Sequence, residues 1–129
     1  TDSASLWLEA RGALLLGRQR GGPTAFTARD ALDLGTRGSA ACLGRLGELG
    51  VLAPGAAADL VAWKLDGLAF AGALTDPVEA LLRCGPTRSH HTVIAGRPLV
   101  EDGELRVDGV DDVLKRHRTA AARMQGVDA

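Results

Sequence analysis

At Leu52-Ala53-Pro54-Gly55 the chain stops reading as helix and begins to read as short strands. Pro sets φ and Gly takes the position that needs positive φ, so these four residues form a tight turn. Before the turn, apolar residues recur at helical spacing; after it they come in short alternating runs. Helices first and short strands second fit an α/β or α+β protein. Its 129 residues suffice for one domain, or for one segment of a larger one.

Thr1-Asp2-Ser3 reads as the cap of a first helix, along which Leu6, Ala10, Leu14 and Gly17 recur at helical spacing. Trp7, Leu8 and Leu15 widen this stripe, which suggests a helix covered on more than one side. Gly21-Gly22-Pro23 ends it, because two flexible residues and a ring without an N–H cannot continue the ladder. Thr27 followed by Asp30 is a capping box with Asp in place of the usual Glu or Gln. Ala31, Leu32, Gly35, Ser39, Cys42 and Leu43 then share one face of a second helix, and Gly44 ends it.

Beyond the turn, Leu60 to Leu65 reads as a strand, with Lys64 pointing away from its apolar face. Asp76-Pro77-Val78-Glu79 starts a short helix that ends near Cys84-Gly85-Pro86: Asp as cap, Pro at the first position, Glu at the third. His91 to Ile94, the pair Ala95-Gly96, and Arg97 to Val100 read as a hairpin. Pro98 demands an unpaired edge site or a bulge there. Asp102-Gly103 is a further turn before a strand at Leu105 to Val107. A last helix, capped by Asp108, buries Val110, Val113, Leu114, His117, Ala121 and Met124, with Asp112 and Arg116 paired on its outside. The tail from Gly126 is expected to be loose. A sheet this small with an open apolar face needs something to pack on.

A formal charge of -1 gives no electrostatic case for nucleic acid. The longest apolar stretches, such as Leu14-Leu15-Leu16, are too short to span a bilayer, and the opening residues carry no pattern of a cleavable signal. Cys42 and Cys84 form no CxxC pair and read as free thiols of a cytoplasmic protein.

The residues that could carry chemistry are few. His90 and His91 are adjacent, and neighbours in a strand point to opposite faces, so they are not expected to grip one metal. His117 falls on the apolar face of the last helix. No HxH, HExxH or CxxC spacing occurs. Ser3, Ser5, Ser39 and Ser89 sit in no nucleophile elbow, and Cys84 reads as a buried structural thiol. Asp59 and Asp76 read as turn and cap residues. The expected site therefore contains no catalytic, cofactor-binding or metal-binding residue.

Three stretches taken together resemble one family. Thr36, Ala40, Leu43 and Gly44 lead into Gly50-x-Leu52-x-Pro54-Gly55-x-x-Ala58-Asp59-Leu60-Val61. Val93-x-x-Gly96-Arg97-Pro98-Leu99-Val100-x-Asp102-Gly103-Glu104-Leu105 comes later in the chain. Both resemble the end of the metal-dependent amidohydrolases, where the chain passes from the last barrel helix into a small β-sandwich. Leu65 to Gly72, Asp76-Pro77 and Ala80-Leu81-Leu82-x-Cys84-Gly85 are similar to the 8-oxoguanine deaminase branch, whose relatives act on cytosine, guanine and hydroxylated triazines. Thr1-Asp2-Ser3, Glu9-Ala10-Arg11 and Leu14-Leu15-Leu16 are similar to the helix after that branch's last barrel strand.

The resemblance narrows the fold to an α+β fragment, with the last helices of a (β/α)₈ barrel over residues 1–47 and the carboxy-terminal part of a composite sandwich over 48–108. Residues 109–129 would be a terminal helix and tail. It implies a parent enzyme in which an HxH pair, two further histidines and an Asp hold a divalent metal, usually zinc. That metal would activate a water against the ring carbon bearing the amine or oxo group of an oxopurine-like heterocycle. All those ligands would lie upstream of Thr1, and Asp2 would be at best a neighbour of one. This chain is then expected to hold no metal and to be inactive. Its partner would be the missing barrel, and it could also pair with itself through an exposed sheet edge. The alternative is a free-standing structural or interaction module derived from such a tail.

Overall fold

The computed structural model describes residues 5–85 and 87–126. Helix α1 spans Leu6–Gly21, and Ser5 caps it by accepting the Leu8 N–H at 3.4 Å. The cap expected from Thr1-Asp2-Ser3 lies outside the described residues. Helix α2, Ala28–Asp33, starts at the anticipated box: the Thr27 side chain accepts from the Asp30 N–H, and the Asp30 carboxylate accepts from the Thr27 N–H.

The second helix is not one regular α-helix. A π-turn over Leu34–Gly38 separates α2 from α3, Ser39–Cys42. An extra residue in a turn rotates the downstream residues by about 100°. The buried face therefore passes from Ala31 to Ala40, and Leu43 is left 69% exposed beside an exposed Cys42. Cys42 and Leu43 therefore leave the common face that helical spacing assigned to them. Gly44, at φ +69°, closes the helix by donating to Ala41 O.

Three helices make the core. Helix α4, Pro77–Cys84, is capped by Asp76, which accepts from the N–H groups of Val78 and Glu79. Its Leu82 meets Ala10 and Leu14 of α1 and Ala28 and Ala31 of α2, with Trp7, Phe26 and Val78 packed around them. Small residues let the backbones close: Gly17 lies so near the Phe26 ring that a methyl group there would be 2.8 Å from it. Leu6, Leu8 and Leu15 of the α1 stripe, and Leu16 beside it, are all about half exposed.

The sheet is four-stranded and antiparallel in the order β1-β2-β3-β4. Strand β1, Leu60–Ala62, is shorter than the expected Leu60 to Leu65. Strands β2, His91–Ile94, and β3, Arg97–Glu101, form the hairpin through Ala95 at φ 50° and Gly96 at φ 78°. Val93 pairs with Pro98 and Thr92 with Val100, so Leu99 is the extra residue of a bulge beside the proline. Asp102-Gly103 turns the chain into β4, Glu104–Leu105, one residue earlier than the strand expected at Leu105 to Val107.

Helix α5, Val110–Gln125, begins at Gly109 in the left-handed conformation with no side-chain cap, which corrects the cap assigned to Asp108. It packs on no other helix or strand among the described residues. Val113, Leu114 and Met124 are exposed, so the face expected to be buried has nothing against it here. Among the described residues, Asp112 and Arg116 form no ion pair with each other. No helix of the described residues is long and apolar enough to cross a membrane.

Candidate functional site

The chemistry-bearing residues converge at one end of the sheet. His91 is the first residue of β2 and pairs with Ala62; His90 lies just before the strand, at a bend. The His90 N–H donates to Ala62 O at 2.7 Å, and its carbonyl accepts from the Gly103 N–H at 2.9 Å. The second bond folds the β3–β4 turn over the start of β2, and Asp102 arrives with it.

His90 Nε2 lies 3.3 Å from Asp102 Oδ1, and His91 Nε2 lies 3.9 Å from the same oxygen. The two rings meet edge to face with centroids 4.4 Å apart. One ligand atom from each of the three residues falls within 4.8 Å of the others. The expectation that the two histidines diverge is therefore corrected. Alternation of side chains holds only inside a regular strand, and His90 is outside it. The signal available in the sequence was the Asp-Gly turn after a bulged strand, but its contact with His90 depends on long-range pairing.

The other candidates stay apart. His117 lies exposed on α5. Cys84, the last residue of α4, is half-buried and free, more accessible than the buried thiol expected. Asp76 is the cap anticipated for it and also accepts from Arg29 at 2.8 Å. The guanidinium, then the backbone N–H of Glu79, holds the Asp76 carboxyl below its ordinary range. Asp59 braces the hairpin: its Oδ1 accepts from the Ala95 N–H at 2.6 Å, while Ala58 O accepts from Gly96 at 3.0 Å.

Residues 1–99 match the model of the amidohydrolase family. The chain belongs to that family. This amidohydrolase segment is 44% identical over 125 residues to the 8-oxoguanine deaminase of Pseudomonas aeruginosa, covering 95% of this chain and 27% of that protein. Its fold is similar to an adenosine deaminase from Xanthomonas campestris with bound zinc: TM-score 0.84, 26% identity, 95% of this chain and 28% of that one. It is also similar to the atrazine chlorohydrolase of Arthrobacter aurescens complexed with zinc: TM-score 0.77, 34% identity, 88% of this chain and 25% of that one. The segment thus spans about a quarter of the length of the relatives it matches.

Several residues of the stretches that carry the resemblance make backbone contacts. Gly50 touches the π-turn, Pro54-Gly55 make the turn closed by the Ala56 N–H to Ala53 O bond, and Asp59 holds the hairpin. The metal set implied by the resemblance does not fit these residues. Among the described residues the only convergent group of three metal-ligating side chains is His90, His91 and Asp102, which contains no HxH pair.

Proposed function

We propose that this chain is the non-catalytic, carboxy-terminal part of a metal-dependent amidohydrolase that deaminates an oxopurine, 8-oxoguanine or a close analogue. Residues 1–47 would be the last barrel helices, 48–108 the carboxy-terminal part of the sandwich, and 109–129 the terminal helix and tail. The observation that carries the reading is the 44% identity to an 8-oxoguanine deaminase, which runs through 95% of this chain and only 27% of the relative. The uncovered apolar residues support it. Leu6, Leu8, Leu15 and Leu16 are about half exposed on α1, and Leu60, Val61 and Ile94 lie exposed on the sheet. An open groove of about 370 Å³ lies between Leu32, Val51, Leu60, Val61, Trp63 and Ile94. Apolar surface of that kind marks a place where other protein packs.

The partner is then the upstream barrel, which would supply the metal and its water, and this segment would keep the barrel in shape in a cytoplasmic enzyme. Joining the upstream barrel to this chain and measuring ammonia release from 8-oxoguanine, guanine, cytosine and a hydroxylated triazine tests the reading. Highest kcat/KM for 8-oxoguanine supports it. Activity confined to a triazine or to cytosine would overturn the substrate assignment, and full activity of the 129-residue chain alone would overturn the supporting role.

A further inference from the structure

We infer that His90, His91 and Asp102 form a binding site for a divalent transition-metal cation of the zinc type, which fastens the start of β2 to the β3–β4 turn. Two imidazoles and one carboxylate are a donor set that suits such ions, and with both rings neutral it sets one negative charge against the two positive charges of the ion. Zinc–ligand bonds of about 2.0–2.1 Å place tetrahedral ligands roughly 3.4 Å from one another. The His90–Asp102 distance of 3.3 Å already matches that spacing, and the His91–Asp102 distance of 3.9 Å needs only small side-chain rotations to reach it.

The backbone holds the donors in place before any ion arrives. His90 is bonded on both sides, to Ala62 through its N–H and to Gly103 through its carbonyl, and His91 is registered against Ala62. Asp102 occupies φ 52° in a two-residue turn whose ends, Glu101 and Glu104, are paired. Little ordering of the chain is therefore required on binding. His90 is largely covered, whereas Asp102 is 77% exposed, so the open side faces solvent and water can complete the coordination shell. The ion would cross-link two turns of the sheet, and binding to the folded form alone would raise its stability by mass action.

The test is a titration of the 129-residue chain with zinc alone, read by calorimetry, and with cobalt alone, read by its visible absorbance. One equivalent is expected. His91→Gln removes a ligand, and Asp102→Asn removes the charge while keeping a residue that tolerates the left-handed turn. Each should weaken binding about tenfold or more, whereas His117→Gln on α5 should leave it unchanged. Zinc should also raise the melting temperature of the parent chain and not of the Asp102→Asn variant. Three results would overturn the site: no saturable binding at about 100 μM zinc, binding indifferent to both ligand variants, or equal weakening by His117→Gln. Circular dichroism of each variant separates loss of the ligand from loss of the sheet.

Discussion

Gly50 has to be glycine on two independent counts. Its φ is +73°, and a Cβ there would lie 2.6 Å from the carbonyl carbon and oxygen of Thr36. The left-handed conformation alone costs a non-glycine residue about 1–2 kcal/mol, and the clash is with backbone that cannot rotate away. Gly50→Ala is expected to destabilise by more than that amount in urea unfolding; a variant as stable as the parent would show that the contact with Thr36 is absent. Leu14, fully buried between the three helices, should lose about 2–5 kcal/mol on change to alanine. Leu43→Ala in the same chain should stay within about 0.5 kcal/mol, since its side chain lies mostly in solvent. The contrast shows what a single sequence reveals about residues. Leu14 lies before any irregularity, so helical spacing placed it correctly. Leu43 lies beyond the π-turn, and one added residue carried it off the face that spacing assigned to it.

Elements whose start is written in three or four adjacent residues were legible. Thr27 with Asp30, Asp76-Pro77-Val78-Glu79, Ala95-Gly96 and Asp102-Gly103 all formed where local chemistry placed them. The joints between elements were not legible, because distant partners make them. Arg18 is the clearest: its guanidinium donates to Phe26 O at 3.0 Å and, as a fork, to both Glu79 oxygens at 2.7 and 3.0 Å. It ties α1 to the entry of α2 and to α4. Arg18, followed by Arg83, holds the Glu79 carboxyl below its ordinary range. The Thr27 backbone N–H and hydroxyl do the same for Asp30, and Asp76 is lowered too. Since the folded values lie below the unfolded ones, this stability is present above the unfolded carboxylate range, about 4. It is lost as pH falls through the folded values. The urea midpoint should therefore drop as pH is taken from 6 towards 3, and Glu79→Gln should flatten part of that slope. A midpoint that holds steady down to pH 3 would remove these carboxylates from the account.

At the scale of the molecule, the dominant feature is apolar surface that the chain does not cover. Strand β1 has no partner on its outer edge among the described residues, and α5 lies against no other element. An open edge beside exposed leucines favours association. Light scattering after size exclusion should find dimers or larger species, and adding the upstream barrel should suppress them. A monodisperse monomer with a cooperative, high-temperature melt would favour a self-sufficient module instead. Leu43→Ala provides a second comparison: nearly silent in this chain, it should become costly in the joined protein if barrel helices cover that side. The open sheet face and edge were expected from the small size of the sheet, but the bare helix faces were not, because an apolar stripe looks the same whether its cover lies within the chain or outside it.

Helix α4 belongs to the helical layer in space and to the sheet in order of synthesis. The Trp7 indole N–H donates to Leu81 O at 2.7 Å across 74 residues of chain, and β1 is made before that partner exists. At roughly 5–20 residues per second a ribosome needs about 4–15 s to supply it. Until then Leu14 lacks Leu82 and has only α1 and α2 residues to pack on. Leu14 can thus meet Ala28 and Ala31 well before it meets Leu82, so the three-helix core is completed by the member of it that is synthesised last.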